Sequence, residues 1–255
     1  MKIVTFNLRC LWLGDGINSF MHRVGMILDK IDERQPDIIC FQEATEKNSD
    51  FLKRHLPEYE LHYRGRNEDM YGEGLMIALR KERFELAEIY SKWLSPTPYK
   101  PGSKFPEQGP SPRILLACVV RDKLTGKFYR FYDLHLEFRR ENIRMEQIKY
   151  VISLIAEDNS NMPFPSFLMG DFNSPREMTT YKYCVDNDVF PLTDLTPDIP
   201  VTSHGFGIND PGCQIDFIFS DSNTAINEHS YCVWDDCEDG IFMSDHYPVE
   251  LNINL

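Results

Sequence analysis

The sequence predicts an α/β chain in which two packed β-sheets are flanked by helices. Apolar runs with strand character alternate along the chain with stretches of helical period. The strand-like runs outnumber the helical ones, so sheet must pack on sheet as well as on helix. The chain has 255 residues, 42% of them hydrophobic, a length at which folding hides roughly 70–75% of the unfolded surface without a disulfide or zinc staple. Residues 1–255 therefore read as a single domain.

In chain order, KIVTFNL reads as a strand, and Met21, Val24, Ile27, Leu28 and Ile31 recur at helical spacing. DIICFQE, directly after Pro36, reads as the next strand. GLMIALR, ILLACVV and KFYRFYDLHLEF follow as strands, then a helix through Ile143, Ile148, Ile152 and Ile155. SFLMGDFN, QIDFIFSD and the terminal YPVELNINL complete the strand set. The segment from Ser91 to Pro112 holds six of the sixteen prolines and no periodicity. Strands resume on both sides of it, which makes a long functional loop the better reading than a linker.

Composition narrows the function classes. Aromatic residues spread from Phe6 to Tyr247 without low-complexity tracts, which excludes a disordered or fibrous chain. MKIVTFNLRC has too short an apolar run for a secretory signal and reads as a first strand. No apolar stretch approaches the roughly 18 residues that span a bilayer, so no transmembrane segment and a cytoplasmic location are expected. Seven cysteines, mostly single within apolar runs, read as reduced, buried packing residues. Cys232 and Cys237 flank Trp234 without the spacing of a zinc knuckle. Forty acidic against 27 basic side chains give a net charge of −13, which weighs against a protein that must embrace a long polyanion. Arg139, Arg140 and Arg144 share the start of a helix with Glu141 and Glu146, the pattern of a solvated face.

The informative feature is where polar residues interrupt apolar strands. Asn7 follows IVTF, Glu43 follows IICFQ, His135 follows FYDL, and Asp171 and Asn173 follow FLMG. Asp216 sits within QIDFIF, and Asp245 with His246 precedes YPVEL. Each is costly to bury unpaired and needs a partner or a ligand. Taken singly, a strand-end Asn7 or Glu43 would satisfy a turn or cap a helix. As a set of carboxylates, amides and imidazoles they suit a hard-cation phosphoester site, with oxygen donors for Mg²⁺ or Mn²⁺ and no thiolate among them.

TFN, FQE, YGEG, DLHLEF, GDFNSP, QIDFIF and SDHYPV occur in the order typical of the endonuclease/exonuclease/phosphatase superfamily, which the chain resembles from residue 3 to residue 249. The resemblance implies a deoxyribonuclease-I-like fold, a four-layer α/β/β/α sandwich of two packed mixed β-sheets flanked by helices. It implies a metal site with Glu43 as principal carboxylate, completed by Asn7 and Asp245, and Asp171 with Asn173 positioning the attacking water. It implies His246 oriented by Asp216, and Glu73 partnering His135 in the same way, so that two imidazolium-type donors face the phosphate. Arg113, ahead of ILLACVV, stands where relatives often grip phosphate; an ordinary ion pair is the competing reading for it and for Glu73.

The resulting expectation is a divalent-metal-dependent phosphoester hydrolase, a phosphodiesterase or phosphatase, with a small-molecule substrate favoured over long nucleic acid. A DNA or RNA nuclease of the same superfamily is the alternative, and an inactive binding module a minor one, since fold alone does not certify activity. An aromatic, mildly basic loop carrying Trp93, Tyr99 and Phe105 is expected to border the site, as is His204. The sequence names no protein partner.

Overall fold

The computed structural model describes residues 1–209, 211–221 and 224–254. Its elements are β1 (Lys2–Asn7), α1 (Phe20–Arg34), β2 (Ile38–Ala44), α2 (Glu46–His55), β3 (Tyr59–Gly65), β4 (Gly74–Arg80) and β5 (Phe84–Trp93). There follow β6 (Ile114–Asp122), β7 (Phe128–His135), α3 (Glu141–Asn161), β8 (Ser166–Asp171), α4 (Thr179–Val185) and β9 (Leu192–Asp194). The chain closes with β10 (Asp216–Asp221), β11 (Glu228–Val233), β12 (Cys237–Glu238), β13 (Ile241–Phe242) and β14 (Val249–Asn254).

One sheet has the order β11-β14-β1-β2-β4-β3 and the other β5-β6-β7-β8-β10-β9, both mixed, with β12 and β13 as a separate ribbon. Strand residues alternate between two apolar layers because successive side chains point to opposite faces. Ile3, Ile38, Cys40 and Ile77 of the first sheet meet Leu116, Cys118, Phe167 and Ile218 of the second between the sheets. Their neighbours Val4, Ile39, Phe41 and Met76 face α1 and α2 on the outside. Leu115, Ala117, Leu168 and Phe217 likewise face α3 and α4. Both faces of each sheet are thus covered, which is why the strands read as continuous apolar runs. The result is the four-layer α/β/β/α sandwich.

Helix α1 buries Phe20, Val24, Ile27 and Ile31, while Met21 is exposed because the buried stripe starts one residue earlier than the sequence pattern suggests. It ends with Gln35 in the left-handed region, and Pro36 cannot continue it. Arg144 departs from the solvated face expected of it. Its guanidinium is buried and donates to Glu137 O at 2.8 Å and to Glu141 at 2.8 Å, whereas Arg139 and Arg140 are exposed. Of the cysteines, Cys40, Cys118 and Cys184 are buried, but Cys213, Cys232 and Cys237 are exposed, so the packing reading fails for those three. No helix among the described residues is long and apolar enough to cross a membrane.

The topology places one end of every central strand at a common edge. β1 and β2 run parallel, as do β7 and β8, and all four finish there. β4, β6, β10 and β14 are antiparallel to these neighbours and begin there. A polar residue that follows an apolar run in one strand therefore meets one that precedes it in the next.

Candidate active site

Register sets the first row of the site. His135 ends β7 opposite Asp171 at the end of β8, and Asp171 lies opposite Asp216 at the start of β10. Gly170 lets β7 and β8 approach: its φ is 139°, and a Cβ there would lie 2.0 Å from Leu134 O. On the other sheet, β2 bulges between Gln42 and Ala44, and Glu43 takes a φ of 56°. A bulge re-aims the side chain it carries, and a left-handed non-glycine residue persists only where surrounding contacts hold it. Here they do: Glu43 accepts from the Cys10 backbone N–H at 2.8 Å and from Asn7 Nδ2 at 3.3 Å. The same Asn7 amide donates to Asp171 Oδ2 at 3.0 Å, tying the two sheets together across the site.

Asn173 follows β8 with a φ of 48°; its backbone N–H donates to Asp171 Oδ1 at 2.8 Å and its amide to Leu136 O at 3.0 Å. His246 Nδ1 lies 2.8 Å from Asp216 Oδ2, which leaves Nε2 as the nitrogen offered to the cleft. Ser244 Oγ donates to Asn7 O at 2.6 Å and to Asp245 Oδ1 at 3.2 Å, fixing the segment that carries Asp245. Arg9 reaches Asp245 Oδ2 at 3.4 Å while paired with Asp15. His204 borders this segment as expected: its backbone N–H donates to Asp245 O at 2.9 Å and its ring stacks on Tyr247 with centroids 3.9 Å apart. Burial, with His246 nearby, holds its imidazole down at about 4. Arg9, Glu43, Asp171, Asn173, Asp245 and His246 line a cleft of about 320 Å³ that also takes in Cys10, Arg66, Ser111 and Phe138.

Burial raises the Asp171 carboxyl to about 7, with Asp216 adding to the shift. Burial likewise pushes Asp245 and Glu73 above the ordinary carboxylate range. Glu43 goes the other way: burial works against its charge, but the Cys10 N–H, His246, Asn7 and Arg9 outweigh it. For His246 burial also opposes the charge, and Asp216, with Asp171 and Asp245, overcomes it and holds the imidazole well above its ordinary value. His135 is held well below by burial and by Arg113 and Arg66. The two imidazoles are thus pushed in opposite directions, His246 towards its charged form and His135 towards its neutral one.

Glu73 also departs from expectation. It forms an ion pair with Arg66, and among the described residues the carboxylate within ion-pair distance of His135 is Asp171, 3.5 Å from Nε2. Arg113 is 4% exposed, and its Nε and Nη1 have no hydrogen-bond partner among the described residues. Trp93 does not form a rim; it is buried and donates its Nε1 to Arg66 O at 2.7 Å. Tyr99 is exposed, with Lys92 Nζ 3.7 Å above its ring. Arg9, Cys10, Arg66 and Phe138 were not singled out from the sequence. Arg9, Cys10 and Arg66 sit in loops without a motif, and Phe138 closes DLHLEF, where His135 is the residue whose chemistry stands out.

The donor set fits a hard divalent cation. Glu43 lies beside the Asn7 amide, Asp245 lines the same cleft, and Glu43, Glu73 and Cys10 each offer a ligand atom within 4.8 Å of the others. Burial pushes the Cys10 thiol up to about 12.

A sequence model of the Endonuclease/Exonuclease/phosphatase family matches residues 4–246. The chain is similar to an uncharacterized protein of Acanthamoeba polyphaga mimivirus, 24% identical over an alignment 253 positions long that covers 91% of each chain. Among solved structures it is similar to the mannosyl-6-phosphatase of Bacteroides thetaiotaomicron, with a TM-score of 0.88, 24% identity and all of both chains covered. D. rerio TDP2, complexed with single strand DNA product, has a TM-score of 0.75 at 18% identity, covering 100% of this chain and 99% of that one. These two structures share its fold.

Proposed function

The chain belongs to the endonuclease/exonuclease/phosphatase family, and from that membership we propose that it is a divalent-cation-dependent phosphoester hydrolase acting on a small phosphorylated substrate. The observation that carries this reading is the buried His246–Asp216 pair, 2.8 Å apart, opening into the same cleft as Asp171, Glu43 and Asp245. Glu43, with Asn7 and Asp245, would hold Mg²⁺ or Mn²⁺. When bound, such a cation supplies charge that offsets the phosphate and the oxygen leaving it.

The chain's own residues do the rest. Asp171 is fixed on both oxygens, by Asn7 Nδ2 and by the Asn173 N–H, and can take a proton from an attacking water that Asn173 helps place. His246, kept protonated by Asp216, donates from Nε2 to an oxygen of the phosphoryl group as charge builds there. Arg113, buried with unused N–H groups, accepts the substrate's anionic charge. His135, neutral beside Asp171, holds that carboxylate in line.

Two observations favour a compact substrate over long nucleic acid. The cleft holds about 320 Å³, the size class of a small-molecule site. The net charge of −13 repels a polyanion, and a duplex-binding enzyme usually neutralises several phosphates with Lys and Arg. The likeness to mannosyl-6-phosphatase points the same way, towards sugar phosphates. Release of phosphate or alcohol from a small phosphoester panel tests the reading. Turnover is expected with Mg²⁺ or Mn²⁺ and its loss on chelation; undiminished turnover in metal-free protein would contradict it.

A further inference from the structure

The cleft wall that carries His135 contains a second, smaller feature. Arg66, Glu73, Arg113 and His135 line both the cleft and a recess of about 10 Å³, which Gly74, Leu75 and Ile114 also line. That volume is close to one water-sized sphere. Arg66 is aimed from several sides: its guanidinium pairs with Glu73, its Nη2 donates to Ser111 Oγ at 2.9 Å, and its backbone oxygen accepts from Trp93 Nε1 at 2.7 Å. Arg113 is fixed by the Leu94 N–H, which donates to its carbonyl at 2.8 Å, and by Phe138, whose ring centroid lies 5.8 Å from the guanidinium carbon. Its Nε and Nη1 have no acceptor among the described residues although it is 4% exposed. A buried guanidinium with unused N–H groups is poorly tolerated without an anion.

We infer that this recess seats one phosphoryl oxygen between Arg66 and Arg113, and that it restricts the enzyme to phosphomonoesters. The inference rests on the hydrolase reading above and narrows it. In an in-line displacement three oxygens lie around phosphorus between the incoming and leaving oxygens. In a monoester all three are free, and near neutral pH they share close to two negative charges, since the second proton leaves near pH 6. In a diester one of the three bears carbon and the group carries a single charge. A diester offers the recess either its alkylated oxygen, whose carbon a water-sized space does not admit, or a free oxygen of a group with about half the charge to meet the two guanidiniums. Glu73 offsets one guanidinium, so the wall keeps a net positive charge matched to the extra charge of the monoester. Arg66 is thus the specificity residue, and Glu73 and Ser111 position it.

The test compares p-nitrophenyl phosphate with methyl p-nitrophenyl phosphate, which share a leaving group, on the full chain with Mg²⁺ or Mn²⁺. The wild-type protein should favour the monoester in kcat/KM by about a hundredfold or more. Arg66→Gln should lower the monoester value by about thirtyfold and the diester value by less than about threefold, and Arg66→Lys, which keeps charge but loses the fork, should fall between. Calorimetric titration with inorganic phosphate gives a readout independent of turnover: Arg66→Gln should weaken binding by about tenfold or more. A wild-type protein that cleaves the diester as well as the monoester overturns the inference while leaving the hydrolase reading intact, and so does an equal loss on both esters in Arg66→Gln. If neither ester is hydrolysed, the hydrolase reading is decided on the wider panel; phosphate binding that depends on Arg66 then still supports the anion seat, and binding indifferent to Arg66 overturns it.

Discussion

His246 Nδ1 sits 2.8 Å from Asp216 Oδ2, with both side chains buried at the edge where the second sheet meets the segment leading into β14. The carboxylate both orients the ring and keeps it charged against the pull of burial. His246→Ala should lower kcat by about a thousandfold, and Asp171→Asn by a similar factor. Asp216→Asn should cost less, because the ring keeps its place and loses part of its charge support. Steady-state kinetics alongside thermal melts decide this; full activity in His246→Ala would remove it from the mechanism.

Glu43 lies below the ordinary carboxylate range, held there against burial by the Cys10 N–H, His246 and Asn7. Glu43→Gln keeps its shape but removes the charge a cation would meet. The metal concentration for half-maximal rate should rise by about tenfold or more, and direct metal titration should show the same shift. An unchanged metal dependence places the cation elsewhere.

Glu250 on β14 is buried and paired with Arg34 at 2.5 and 2.8 Å, and it also accepts from Trp234 Nε1 at 3.0 Å and Asn252 Nδ2 at 2.8 Å. Burial opposes its charge, but these partners win and its carboxyl lies below the ordinary range. A carboxylate lowered by folding stabilises the native state above its unfolded value of about 4.3, and that contribution is lost as pH falls through the lower folded value. Glu250→Gln should therefore lower Tm at neutral pH and flatten the acid limb. Parallel acid limbs in the two proteins would show that the pair contributes nothing to acid stability.

Gly170, just ahead of Asp171, should tolerate no side chain. At φ 139° an added Cβ would lie 2.0 Å from Leu134 O, so Gly170→Ala should destabilise by more than about 2 kcal/mol and reduce activity with it. Gly126, at φ 74° with nothing within 4 Å of an added Cβ, is the control: its alanine variant meets backbone strain alone, about 1 kcal/mol. Equal melting temperatures for the two variants would contradict this account.

The central strands were legible because both sheet faces are covered, which turns β2, β4, β6 and β8 into apolar runs no loop would carry. β3 and β11 escaped notice because they mix exposed and half-buried residues along a weak pattern. Helix α2 is not legible because only Phe51 and Leu52 among its ten residues are apolar, and Asn48 and Ser49 complete its buried face; its marker is the Thr45–Asn48 capping box. Within the site, Asn7, Glu43, Asp171, Asp216 and His246 were readable as polar breaks in strands, since a polar residue is buried only with a partner and these strand ends supply one another's. The Arg66–Glu73 pair and the placement of Asp171 beside His135 were not. Both depend on which loop a strand edge faces, and that proximity is set by the register of β3, β4 and β6. Arg144 was misread because helical charge spacing is silent about the turn that precedes the helix, where Glu137 O captures it.

The most direct test of the central claim is the catalytic efficiency of the wild-type protein and Asp171→Asn on small phosphoesters, plasmid DNA and structured RNA, each with Mg²⁺ or Mn²⁺ at low and moderate salt. The predicted result is efficient turnover of at least one small ester, little affected by salt and lost by about a thousandfold in Asp171→Asn, with weak cleavage of DNA and RNA. Efficient, strongly salt-sensitive cleavage of DNA or RNA with negligible turnover of every small ester would contradict it.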